Sequence, residues 1–130
     1  MSTPLLDLQK QFSRTAGLFL AWMAESGYTW TMGDCWRSND PLLCPQCGDQ
    51  VTYQELLKYN GRTRVLVSKH SERRAMDLNL FVNGRLAQPE QYRPLGEKWE
   101  ALGGKWGGRF GVEKGEYATR VGWDPGHFEL

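Results

Sequence analysis

The stretch SKHSERRAMDLNLFVNGRL, residues 68–86, organises the chain. Between Ala75 and Leu80 the residues alternate, with Met76, Leu78 and Leu80 on one face and Ala75, Asp77 and Asn79 on the other. That period of two is the mark of a half-buried strand, and it turns the polar Asp77 away from the more apolar layer. Asn83-Gly84 follows, a pair that tolerates positive φ, so a tight hairpin is predicted there. His70 and Asp77 lie seven positions apart. An odd offset puts two side chains on opposite faces of an unbroken strand, so the polar run Ser71–Arg74 must hold a turn or bulge if both are to serve one site.

Upstream, Leu5, Leu8, Phe12, Ala16, Phe19 and Met23 recur at steps of three and four, the stripe of a core helix. Thr3-Pro4 suits its start and Gly27 its stop. YTWTMGDCW, residues 28–36, alternates and reads as a strand entering a turn at Gly33-Asp34, and the Pro- and Gly-punctuated run Ser38–Asp49 reads as a surface loop. TYQE at 52–55 has the capping-box pattern of a short helix ending near Asn60-Gly61, and RVLVSKH, 64–70, is a short β-branched run. Downstream, Leu95, Trp99 and Leu102 share one side of a helix over 94–102 that Gly103-Gly104 ends. The tail VGWDPGHFEL reads as strand on both sides of a Pro-Gly turn. The order helix, strand, helix, strands, helix, strand predicts an α+β domain with a small antiparallel sheet and flanking helices, a single unit over 1–130.

Net charge is +1, with 24% charged and 40% hydrophobic residues, so nothing marks a nucleic-acid or membrane-surface binder. TAGLFLAWMA, residues 15–24, is too short to cross a bilayer and does not read as a signal peptide. Cys35, Cys44 and Cys47 are an odd set, which fits a reducing compartment. CPQC has the spacing of half a zinc knuckle or a redox pair but lacks an obvious fourth ligand, so free or incidentally paired thiols are favoured over a second metal site.

The chain has two histidines, His70 and His127, and the latter stands three residues after Asp124 across Pro125-Gly126. Two imidazoles and one carboxylate suffice for a catalytic zinc site that keeps a position open for water. Taken singly, each is more readily a satisfied core or surface histidine, or an aspartate capping a turn, because His-x6-Asp and Asp-x-x-His are weak patterns.

In combination these residues resemble a family. SKHSERRAMDLNLFVNG, YRPLGEKWEALGGKWGG and WDPGHFEL are similar, in order, to the zinc peptidases that include the D-alanyl-D-alanine carboxypeptidases and dipeptidases and the phage L-alanyl-D-glutamate endopeptidases. Ser68, His70, Asp77, Asp124 and His127 match that family's Ser-x-His, Asp and terminal Asp/Glu-x-x-His pattern, and GDCWRS resembles its arginine-bearing segment at Arg37. Arg74 stands where many relatives carry a small residue, and Asp34 and Trp36 replace the commoner Glu and Tyr.

The resemblance implies a hedgehog/DD-peptidase-like fold with Zn2+ held by His70, Asp77 and His127, which acidifies a bound water. It implies Asp124 as general base, Arg37 as an oxyanion-stabilising group or a clamp on a substrate carboxylate, and Ser68 as a substrate contact or an orienter of His70. Glu129 is a candidate supporting partner of a ligand. The implied function is that of an endolysin: a zinc metallopeptidase hydrolysing a peptidoglycan stem-peptide bond, L-Ala-D-Glu first. It would act as a monomer, held in the host cytoplasm until a holin releases it to the cell wall. A D-alanyl-D-alanine carboxypeptidase or dipeptidase of the same fold, and a non-catalytic phage structural or binding module, are the alternatives.

Overall fold

The computed structural model describes residues 3–35, 41–43, 50–52, 69–70 and 72–130. The chain opens with α1, Pro4–Glu25, whose first turn is closed by the Thr3 side chain accepting from the Leu6 amide at 3.1 Å. Gly27, at φ 82°, ends it in a conformation that disfavours side chains. Phe12, Ala16, Phe19 and Met23 are buried as the stripe predicts, joined by Thr15, whereas Leu8 is half-buried and Leu5 is exposed.

Five strands form one antiparallel sheet: β1 (Thr29–Met32), β4 (Ala75–Val82), β5 (Arg85–Leu86), β6 (Lys105–Trp106) and β7 (His127–Glu129). β4 is its axis. Along one edge it pairs with β1, Thr29 opposite Phe81 and Met32 opposite Leu78. On the other edge its first half pairs with β7, placing Asp77 opposite His127, and its last residues turn back through Asn83 and Gly84, both at positive φ, onto β5. Between those partners the strand's amides are taken by other groups: Leu78 donates to the Gly126 carbonyl at 2.8 Å and Leu80 to the Tyr92 hydroxyl at 3.0 Å. Met76, Leu78 and Leu80 are buried and Asn79 is exposed as the alternation predicts, but on the Asn79 face Asp77 is half-buried and Ala75 is fully buried.

Helix α2, Arg93–Ala101, follows a 3₁₀ turn at Pro89–Tyr92 and buries Leu95 and Trp99. One apolar cluster joins α1, α2 and the sheet, with Phe19, Trp99 and Phe128 in mutual ring contact at 5.1–5.9 Å. The coarse α+β class with a small antiparallel sheet is therefore what the described residues adopt.

Three local expectations change. Gly33 and Asp34 do not turn; they stay beside β4, the Gly33 amide donating to the Asp77 carbonyl at 2.8 Å and the Asp77 amide to the Asp34 carbonyl at 2.7 Å, and the chain bends at Cys35. A Cβ on Gly33 would lie 3.1 Å from that of Asp77, so the glycine serves close approach rather than reversal. Part of the supposed cysteine loop is strand: β2, Pro41–Leu43, pairs antiparallel with β3, Gln50–Thr52. Pro and Gly punctuation marks a hairpin connection as readily as a loop. Residues 121–123 are not strand, because Gly122 is drawn onto the backbone of Gly108 and Phe110, and only the far side of the Pro-Gly turn enters the sheet. The helix expected over 52–60, apart from Thr52, and residues 64–68 of the β-branched run lie outside the described residues.

Candidate metal centre

His70 reaches the sheet by the break that its odd offset from Asp77 requires. The Glu72 and Arg74 amides donate to the Lys69 carbonyl and the Arg73 amide to that of His70, turn bonds that fold Glu72–Arg74 back onto Lys69 and His70. Arg73 adopts φ 58°, the left-handed conformation that lets the chain reverse its facing. Gln9 of α1 anchors this turn by donating its side-chain amide to the Glu72 carbonyl at 2.9 Å. The result is a His70 residue only 1% exposed, beside Asp77.

His127 arrives by a second turn. Its amide donates to the Asp124 carbonyl at 3.1 Å, closing Asp124–His127, so both side chains emerge on one side. Three contacts hold that turn: Trp106 donates its indole N–H to the Pro125 carbonyl at 2.7 Å, Gly126 accepts from Leu78, and Gly107 lies flat against it. A Cβ at Gly107 would come 2.0 Å from the Asp124 carbonyl oxygen, and one at Gly126 would come 2.5 Å from that of Leu78. Sequence reasoning placed Gly126 in the Pro-Gly turn but did not single out Gly107; the repeated Gly pairs in GGKWGG are the signal that close packing was needed there.

The two turns bring three donor atoms together. His70 Nε2, His127 Nδ1 and Asp77 Oδ1 are each 3.2 Å from the other two. One ring nitrogen has a single in-plane direction for a proton or a lone pair, so Nδ1 of His127 cannot point at both neighbours. All three atoms instead border a common point. Donors held about 2.0–2.1 Å from a tetrahedral ion stand about 3.3–3.4 Å apart, close to the observed spacing, so the trio fits one face of such a shell. Among the described residues this is the group of three that can hold a metal ion.

Each partner sets the charge of the others. Burial disfavours the Asp77 carboxylate, but hydrogen bonds from His127 and His70 outweigh it and hold its pKa down at about 2. Burial likewise opposes charge on His127, yet its bonds to Asp77 and Glu129, with Asp124 nearby, push its pKa up to about 9. Asp124 Oδ2 lies 3.8 Å from His127 Nδ1, outside the donor triangle, with a side chain 38% exposed and open to solvent. Glu129 Oε1 lies 2.9 Å from His127 Nε2, on the far side of the ring. Arg37, Ser68, Cys44 and Cys47 lie outside the described residues; Cys35 is a free, exposed thiol.

Trp99 and Trp106 belong to the core, and their N–H groups bind backbone carbonyls of β7 and of the Asp124–His127 turn. Trp123 is half exposed, in ring contact with Phe110, which in turn touches the His127 ring at 5.5 Å. No described helix is long and apolar enough to cross a membrane. No family model matches the chain, and no curated protein matches it.

Proposed function

We propose that this chain is a zinc-dependent peptidase of hedgehog/DD-peptidase-like fold that hydrolyses a peptidoglycan stem-peptide bond, L-Ala-D-Glu first, in the manner of a phage endolysin. The observation that carries the reading is the 3.2 Å triangle of His70, Asp77 and His127 with the carboxylate of Asp124 at its edge. Two imidazoles and one carboxylate are a donor set that suits Zn2+ and leaves positions open. When bound, the ion supplies Lewis-acid activation of a water and of the attacked carbonyl.

The chain's own groups divide the remaining work. His70, Asp77 and His127 come from two turns and one strand fixed by the sheet, so the donors are preorganised. Asp124 takes the proton of the attacking water and returns it to the leaving amine, the task of a solvent-reached carboxylate next to the ligands. Arg37 and Ser68 are assigned to the substrate on the strength of the sequence resemblance alone.

The test joins metal analysis with mass spectrometry of muropeptides from digested cell wall. The expected result is about one Zn2+ per chain, loss of digestion with a chelator, and new amino termini at D-Glu. Release of free D-Ala in its place moves the assignment to a carboxypeptidase; intact muropeptides with a fully zinc-loaded chain exclude a peptidase acting on this substrate.

A further inference from the structure

The role of Glu129 is set by where it meets His127. Asp77 and His70 both lie on the Nδ1 side of the His127 ring, and Glu129 Oε1 lies 2.9 Å from Nε2 on the opposite side. His127 and Glu129 stand two residues apart on β7 and so share a face of the strand. That strand is held from both edges, Glu129 being opposite Ala75 of β4 and Lys105 of β6, and the Glu129 carbonyl accepts from the Trp99 indole at 2.9 Å. The Glu129 side chain is 14% exposed, so its carboxylate is aimed at the ring by a rigid backbone and not by chance of a surface rotamer.

From this geometry we infer that Glu129 is a positioning residue for the metal centre: it accepts the Nε2–H of His127, which fixes the tautomer in which Nδ1 keeps a lone pair for the ion. The inference rests on the metal-site reading above. An imidazole without such a partner divides between two tautomers and rotates about its ring bond, and only one tautomer and one orientation present Nδ1 to the site. The negative carboxylate also raises the basicity of the ring that it holds. Glu129 itself cannot join the donor triangle, because the imidazole stands between them.

Three measurements on the full chain test this. In zinc-loaded wild-type protein, long-range proton–nitrogen NMR of the imidazoles is expected to show His127 protonated at Nε2 and shifted by the metal at Nδ1. The reverse assignment overturns the proposal without recourse to any variant. Zn2+ affinity, measured by competition with a chromophoric chelator, is expected to fall about 10–100-fold in Glu129→Leu. It should be largely regained in Glu129→Gln, whose Oε1 accepts the same N–H. Wild-type affinity in Glu129→Leu overturns the positioning role while leaving the metal site standing. A wild-type chain that binds no Zn2+ overturns the metal site, and this role with it.

Discussion

Asp124 stands beside the donor triangle without joining it, its Oδ2 3.8 Å from His127 Nδ1 and its side chain partly in solvent. A group in that place can move a proton without being needed to hold the ion. Asp124→Asn is therefore expected to lower peptidoglycan hydrolysis about 10²–10⁴-fold. Zinc content should stay at one per chain, measured on the same preparation; metal loss in parallel with activity would make Asp124 a ligand instead. The ion pair between Asp77 and His127 sets a second expectation, for the metal-free chain. Asp77 is lowered to about 2, so its contribution to stability is present above the ordinary carboxylate range near pH 4 and is lost as pH falls through 2. His127 is raised to about 9, so its contribution is complete below about pH 6.5, the ordinary imidazole value, and is lost as pH rises through 9. Thermal unfolding in chelator should thus give the highest Tm between about pH 4 and 6.5. A Tm that climbs steadily from pH 6.5 to 9 would mean that His127 is neutral in the folded chain. Because His127 must give up that proton to bind an ion, Zn2+ affinity should rise with pH over the same interval.

At the scale of elements, the site depends on two turns that deliver histidines to one strand. Gly107 packs on the second of them so closely that an added Cβ would meet the Asp124 backbone oxygen at 2.0 Å and the His127 Cβ at 2.8 Å. Backbone cannot yield as a flexible side chain does, so Gly107→Ala is expected to destabilise the fold by about 1–3 kcal/mol. It should also weaken Zn2+ binding, whereas Gly115→Ala, where a Cβ meets nothing within 4 Å, should leave that affinity at the wild-type value. Equal zinc affinity in Gly107→Ala would show that the turn tolerates displacement. How much of this was legible in the sequence depends on whether the determining contact is local. The alternation around Asp77, the odd offset that demanded a turn before it and the Pro-Gly reversal ahead of His127 are encoded within a few residues, and each was readable. Gly33 was taken for a turn because a glycine needed for close approach to a neighbouring strand looks the same in sequence as one needed for positive φ. Gly107 and Trp106 support the site through contacts across 17 to 20 residues of chain, a distance over which no local pattern reports.

For the molecule as a whole, the donors join two places far apart in the chain: His70 and Asp77, seven residues from each other, and His127, 50 residues beyond Asp77. The two 3.2 Å distances to His127 exist only when β4 and β7 are paired, so the folded chain presents the full set and the unfolded chain does not. An ion that binds only the folded state stabilises it by mass action, about 2.7 kcal/mol when its free concentration is 100 times Kd. For a chain of 130 residues that amounts to roughly 10 °C in Tm. The expected behaviour is a Tm that rises by about this amount with Zn2+ and returns with chelator. His70→Ala should abolish the response, because removing one corner leaves only two donors, while the Asp77–His127 contact at 3.2 Å remains to hold the metal-free fold. Hydrogen exchange in the zinc-loaded chain should slow most at the amides of β7 and of the Asp124–His127 turn, the parts that reach the site from the end of the chain. Slowing confined to α1, with β7 unchanged, would place the ion elsewhere and remove the physical ground for treating these three residues as one centre.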